Sequence, residues 1–298
     1  MKNKETEKAP LVTVLVPSYN HSKYVKQCIE SIVGQTYKNI ELIVIDDGST
    51  DDSVEVIKQL QKIHGFTFFS QKNIGLTRTL NKAIQEYVSG VYLCLCASDD
   101  YYESTKVEKM VSFLESNQNM PVCYCRSTFV DENNDVVRSA TGTANRFLKG
   151  GEIFGQIINQ KLHFLPGMVR FDVYNELGLY SEEIWTEDFE FNLKVSAKYP
   201  IGFVDEYLNF YRFPSDFSKK LLTTRVPMAH KACIDVYRHS RFYKSAILEW
   251  NYRNFIWFSG NSAEKIFALK SMLNAAAVAY RPLYWKAILN LVFNWIAK

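Results

Sequence analysis

The chain has 298 residues, 47% hydrophobic and 22% charged, with a formal net charge of +3. That length suits one large core or a core with a smaller appended domain, and the composition excludes a disordered chain. The first ten residues carry Lys2, Lys4, Glu5, Glu7 and Lys8 and no apolar stretch, which predicts a flexible segment over 1–10, no signal peptide, and folding in the cytoplasm.

Leu11 to Val16 is an apolar run that ends at Pro17, and Ser22 to Gln35 follows with helical spacing through Val25, Ile29, Ile32 and Val33. The alternation repeats with strands over 40–45, 66–69 and 91–96 and helices over 51–63, 76–87 and 104–114. Asp51 and Ser104 are the expected helix N-caps. Four such units predict an α/β fold with a doubly wound, largely parallel sheet. Cys94 and Cys96, like Cys123 and Cys125, alternate within apolar runs and read as small, reduced, buried residues.

Past a strand over 122–130 the pattern loosens, with Asp131 to Asp135 as a hairpin turn and 141–151 as a loop. A helix over 152–159, a strand near 168–171, a helix over 186–198 and a strand over 201–210 follow. His163, with the Phe164-Leu165-Pro166-Gly167 loop, is a candidate ligand contact.

The remainder, 217–298, reads as a helical extension with no apolar run of about 18 residues, so no transmembrane helix is expected. Residues 225–298 hold 11 Lys/Arg against 3 Asp/Glu, among Trp250, Trp257, Trp285 and Trp295. Basic residues interleaved with aromatics favour an anionic membrane surface over nucleic acid. Over 283–298 the polar residues Lys286, Asn290, Asn294 and Lys298 recur at every fourth position, which leaves a broad apolar surface to be covered by the catalytic domain, a second subunit in a homodimer, or the membrane interface.

Three acidic clusters carry the chemistry: Asp46-Asp47-Gly48-Ser49, Ser98-Asp99-Asp100 and Glu187-Asp188. The first two follow predicted strands and the third opens a helix. Carboxylates at the carboxyl ends of strands sit where open α/β sheets bind ligands, and hard oxygen donors suit Mg²⁺ or Mn²⁺ holding a diphosphate. An aromatic in Pro17-Ser18-Tyr19-Asn20 can lie against a base. Taken singly, each cluster is also an ordinary turn or helix start.

In order and spacing, these segments together with Gln35-Thr36-Tyr37, Asn73-Ile74-Gly75-Leu76 and Tyr211-Arg212 resemble the family 2 glycosyltransferases, over roughly residues 11–212. The resemblance implies an inverting, metal-dependent enzyme with a GT-A-type mixed, mostly parallel sheet. It implies a catalytic domain over 11–216, with a nucleotide-binding half over 11–130 and an acceptor half over 131–216. It places Pro17, Tyr19 and Asp47, with Asn20 beside them, at the nucleotide; Asp99 and Asp100 at the metal, Asp99 also near the nucleotide; and Asp188 as the base that deprotonates an acceptor hydroxyl, with Glu187 next to it.

Three positions depart from the family pattern. Ala97 stands where a further Asp is common, Thr79-Leu80-Asn81 where Ala-Arg-Asn is common, and Phe213-Pro214 where a histidine often follows. Arg78 is then the candidate for the basic group at the diphosphate. The expected donor is a nucleotide diphosphate sugar, UDP-linked, and the expected acceptor a surface glycan on a polyprenyl diphosphate lipid at the inner membrane face. The rival readings are a non-catalytic scaffold and a nucleotidyltransferase; the latter normally carries a glycine-rich, basic phosphate loop, which Ser18-Tyr19-Asn20-His21 is not.

Overall fold

The computed structural model describes residues 9–162, 164, 167–184, 186–213, 224–261 and 264–296. Residues 1–8 of the expected flexible segment, and His163, Leu165 and Pro166 of the candidate acceptor loop, lie outside the described residues. The chain divides into two compact units, one of Met1–Glu152, Phe164–Glu182 and Lys198–Phe213, the other of Ile153–His163, Glu183–Ala197 and Pro214–Lys298.

The first unit grows from β1 (Val12–Ser18), a β-branched run buried along nearly its whole length. Burial on both faces is what a central parallel strand requires. The chain winds through α1 (Val25–Val33), β2 (Ile40–Asp46), α2 (Ser53–His64) and β3 (Thr67–Ser70) on one side of β1. It then returns through α3 (Leu76–Glu86) to β4 (Tyr92–Leu95), which pairs with the other edge of β1. Val25, Cys28, Ile29 and Ile32 of α1 are buried, the three-and-four spacing of a helix face turned to a sheet. Because the winding reverses at β1, the carboxyl ends of β1 and β4 flank a topological switch point, where such sheets hold ligands.

Beyond β4 come β5 (Tyr101–Tyr102), α4 (Lys106–Ser116), β6 (Val122–Val130) and α5 (Arg138–Asn145). After α6 (Phe154–Ile158), which belongs to the second unit, follow β7 (Met168–Arg170) and α7 (Asp172–Leu177), then α8 (Glu187–Lys198), in the second unit except for its last residue, and β8 (Gly202–Arg212). The eight strands form one sheet in the order β3-β2-β1-β4-β7-β6-β8-β5. Here the sheet becomes mixed: β7 runs antiparallel to β4 and β6, β8 is parallel to β6, and β5 is antiparallel to the end of β8. All six cysteines are free and buried.

Several expectations need correction. The loop expected over 141–151 begins as helix α5, which has no apolar stripe because it docks through polar side chains. Thr141 Oγ1 accepts from Phe129 N–H at 2.9 Å, and Asn145 both donates to Ser127 O at 2.7 Å and accepts from Ser127 N–H at 3.1 Å. These bonds satisfy the free edge of β6 as a strand would. Ser104 is not a cap; Glu103 Oε2 accepts from Thr105 N–H at 2.7 Å just before α4. Asp51 lies one residue short of the N-cap of α2, accepting from Ser53 N–H at 3.0 Å and from Ser22 N–H at 3.0 Å.

The second unit also contains α9 (Arg225–Val236), α10 (Tyr243–Phe258), α11 (Lys265–Asn274), a 3₁₀ turn Ala276–Val278 and α12 (Pro282–Ile296). It has its own core, in which Phe255 and Phe258 of α10 meet Ala268, Val278, Tyr284 and Leu291. A bidentate pair ties the residue just before α12 to α10, with Arg281 Nη1 at 2.9 Å and Nη2 at 2.5 Å from the Glu249 carboxylate. Among the described residues no helix is long and apolar enough to cross a membrane.

Candidate active site

At the end of β1, Pro17 is half-buried opposite Ile45, and Tyr19 presents an exposed ring. Asn20 takes a φ of 55°, the left-handed region that Asn tolerates better than most residues. Its N–H donates to Ser49 Oγ at 2.8 Å and its Oδ1 accepts from Thr50 N–H at 2.8 Å. The loop after β1 is thereby fastened to the loop after β2.

The two aspartates ending β2 divide the work. Asp46 is fully buried and closes its own turn, accepting from Ser49 N–H at 2.9 Å and Ser49 Oγ at 2.5 Å. Asp47 reaches across instead: Oδ1 accepts from Ile74 N–H and Gln71 Nε2, each at 3.0 Å, and Oδ2 from Gly75 N–H at 2.9 Å. Directly after them Gly48 has a φ of 80°, and a Cβ there would meet Asn73 N at 2.6 Å. Only glycine allows the 71–75 segment to approach this closely.

At the end of β4, the Asp99 side chain is 26% exposed and stands 3.8 Å from His21 Nδ1, which also lies 2.8 Å from Ser98 Oγ. Asp100 turns inward, and its Oδ1 accepts Arg212 N–H at 2.8 Å. Burial, then the neighbouring Asp99, pushes the Asp100 carboxyl up to about 8, against the opposing pull of Lys106 and Arg212. Arg212, the last residue of β8, is itself buried. Its guanidinium donates to Asp99 O at 2.9 Å, Asp131 O at 2.6 Å, Gln27 Oε1 at 3.2 Å and Asn134 Oδ1 at 2.8 Å, with its centre 4.3 Å from the Tyr24 ring centroid.

Among the described residues no three His, Cys, Asp or Glu side chains gather to hold an ion. A Mg²⁺ or Mn²⁺ ion that keeps several waters and shares a substrate diphosphate needs only one or two protein carboxylates. The partly open Asp99 carboxylate fits that role. Asp100, the other expected metal ligand, is buried, with one carboxylate oxygen engaged by Arg212 N–H.

Arg78 is exposed on α3, with Nε 3.0 Å from Glu182 Oε2. Asn81, one turn further on, is buried and grips the same segment at both ends of its amide, donating to Tyr180 O at 2.9 Å and accepting Tyr180 N–H at 3.1 Å. Sequence reasoning missed Asn81, His21 and Gln71, and gave Arg212 no role; for the last, the signal was its place in the Tyr211-Arg212 segment shared with the family.

Glu187 and Asp188 open α8 in the second unit, both partly buried, with Glu190 as the third acid of that first turn. Burial lifts Asp188 to about 6, and burial together with Asp188 lifts Glu187 to about 7. A carboxylate in that range can accept a proton from a hydroxyl near neutral pH.

The family model for glycosyl transferase family 2 matches residues 13–178. An uncharacterized glycosyltransferase of Rickettsia felis is 26% identical over 225 residues, which cover 72% of this chain and 36% of that relative. The chain thus spans about a third of that relative's length. Among solved structures, S. aureus TarS 1–349 in complex with UDP-GlcNAc superposes with a TM-score of 0.68 at 17% identity, covering 95% of this chain and 89% of that one. Mannosyltransferase PcManGT of Pyrobaculum calidifontis, in complex with GDP-Man and Mn²⁺, does so with a TM-score of 0.63 at 15% identity, covering 98% and 89%. These likenesses are of fold, and the fold is of the GT-A type.

Proposed function

We propose that this chain, which belongs to glycosyl transferase family 2, transfers one sugar with inversion from a nucleotide diphosphate sugar to a hydroxyl of a surface glycan carried on a polyprenyl diphosphate lipid. The observation that carries this reading is the pair of carboxylates, Asp47 and Asp99, at the ends of the strands that flank β1 at the switch point. A UDP-linked donor is favoured by the likeness to a fold solved with UDP-GlcNAc.

In this reading residues 11–130 hold the donor and 131–216 the acceptor. The Tyr19 ring lies against the base and Pro17 walls the pocket. Asp47, with Asn20 bracing its loop, accepts from the base or ribose through a lone pair that Oδ2 keeps beyond its bond from Gly75 N–H. Asp99 would hold Mg²⁺ or Mn²⁺, which when bound neutralises charge developing on the diphosphate leaving group. Arg78, exposed and paired with Glu182, would exchange that partner for a phosphate oxygen.

Asp188 takes the acceptor proton as the acceptor oxygen bonds to the anomeric carbon and the bond from that carbon to the diphosphate oxygen breaks. Burial holds the Asp188 pKa near 6, a suitable range for a base at neutral pH, and Asp188 adds to the burial that raises its neighbour Glu187. An α-linked donor gives a β-linked product. Work on a lipid-borne acceptor places the protein at the cytoplasmic face of the cell membrane.

Calorimetry with UDP, GDP, CDP and dTDP, each with and without Mn²⁺, tests this directly. Metal-dependent binding of one nucleotide, lost in Asp99→Asn, is the expected result. If none binds, the donor reading fails and a non-catalytic scaffold takes its place.

A further inference from the structure

On α12, Tyr284, Ala287 and Leu291 face the core of the second unit. The opposite face carries Trp285, Leu289, Val292 and Phe293, which are 46% to 67% exposed. The apolar circumference expected from sequence is therefore split, half spent on the core and half turned to solvent. Neighbouring α11 adds exposed Ile266 and Leu273. Six large apolar side chains left in water on two consecutive helices exceed the scatter usual for a soluble surface.

From the first residue of α11 onward the charge has one sign, the nearest preceding acid being Glu264 at the N-cap of α11. Residues 265–298 contain five Lys/Arg and no Asp/Glu. Lys270 and Lys286 are exposed, whereas Arg281 is paired with Glu249. From this geometry we infer that the outward face of α11 and α12 docks on an anionic lipid surface, its apolar side chains entering the headgroup boundary and its lysines meeting lipid phosphates. The inference rests on the reading above, in which the acceptor is borne on a lipid.

Physical chemistry favours that occupant over a second copy of the chain. A symmetric dimer on this face would bring lysine against lysine, with no carboxylate within 265–298 to answer either. An anionic bilayer supplies apolar depth and negative charge together, and an indole such as that of Trp285 is suited to the boundary between them.

The test is flotation of the full chain with vesicles of phosphatidylcholine alone or with about 30% phosphatidylglycerol, where each lysine near the surface is worth about 1 kcal/mol, or roughly fivefold in affinity. Two variants are compared: Trp285→Ser/Leu289→Ser/Phe293→Ser, which strips the apolar face, and Lys270→Glu/Lys286→Glu, which reverses its charge. Wild type is expected to float with the anionic vesicles at least about tenfold better than with the neutral ones, and both variants to lose that gain. The charge variant leaves the core untouched, so a misfolded apolar variant does not spare the proposal. Failure to float, equal binding by wild type and the charge variant, or a dimer in light scattering that the apolar variant breaks would each overturn it. Nucleotide binding measured on the same preparations separates the two readings: lost flotation with intact nucleotide binding sinks only the lipid surface, and the reverse sinks only sugar transfer.

Discussion

Burial lifts Asp188 from 3.8 to about 6, so the folded protein holds this proton more tightly than the unfolded chain does. A raised carboxyl pKa favours the fold below the unfolded value, and that advantage is lost as pH climbs to 6. At neutral pH the buried charge costs up to about 3 kcal/mol. Asp188→Asn is therefore expected to raise the melting temperature at neutral pH while abolishing transfer; a lowered melting temperature would mean that the carboxylate has a structural partner. The same shift sets a rate profile: kcat/KM should fall as pH drops through about 7 to 6, where Glu187 and then Asp188 take up protons. A flat profile over that window would remove Asp188 from the role of base. Asp99 and Asp100 separate in the same way. Asp100→Asn keeps an acceptor for Arg212 N–H and should leave the unfolding free energy within about 1 kcal/mol of wild type, whereas Asp99→Asn should abolish the metal dependence of nucleotide binding without unfolding the protein.

Among the elements, the loop after β2 and the 71–75 segment act as one piece because Gly48 lets them touch. Gly48→Ala must clear Asn73 N and hold an unfavourable φ, which together cost about 1–3 kcal/mol, and it pulls Asp47 off Ile74 and Gly75. The expected signature is a raised KM for the donor with a smaller change in kcat; unchanged KM would show that this loop does not shape the donor pocket. Asn145→Ala, remote from the acids, should cost about 1–3 kcal/mol of stability by exposing the edge of β6 and leave KM alone. These two positions also show what sequence could reveal. Most elements from β1 to β4 are legible because they bury a continuous apolar run or a helical stripe, while β3 is half-exposed and is marked by its paired phenylalanines, and the order of the acidic motifs locates the switch point. α5 is not legible, since Thr141 and Asn145 hold it through hydrogen bonds to a strand and it carries no apolar stripe. β5 is two residues long and exists because β8, a hundred residues later, pairs with it. The division of labour between Asp46 and Asp47, or Asp99 and Asp100, depends on which carboxylate turns inward, and adjacent identical residues carry no mark of that.

At the scale of the molecule, charge is distributed unevenly beneath a formal net of only +3. Residues 225–298 are strongly basic, so the protein should bind a cation exchanger at about pH 7.5 more firmly than its net charge warrants. Lys270→Glu/Lys286→Glu should elute much earlier than a variant with two lysines reversed elsewhere; coincident elution would mean that the basic region presents no concentrated field. Arg212 has a consequence of another kind. Its side chain closes on Gln27, 185 positions earlier, and on the backbone of Asp99 and Asp131. During synthesis from the amino terminus, β1 to β4 can pair early, yet the acidic loop has no clamp until β8 has emerged and laid its last residue beneath it. The nascent chain must then carry β6 with one edge unpaired over the time it takes to translate to residue 212, the interval in which it most needs a chaperone and cannot yet bind its donor.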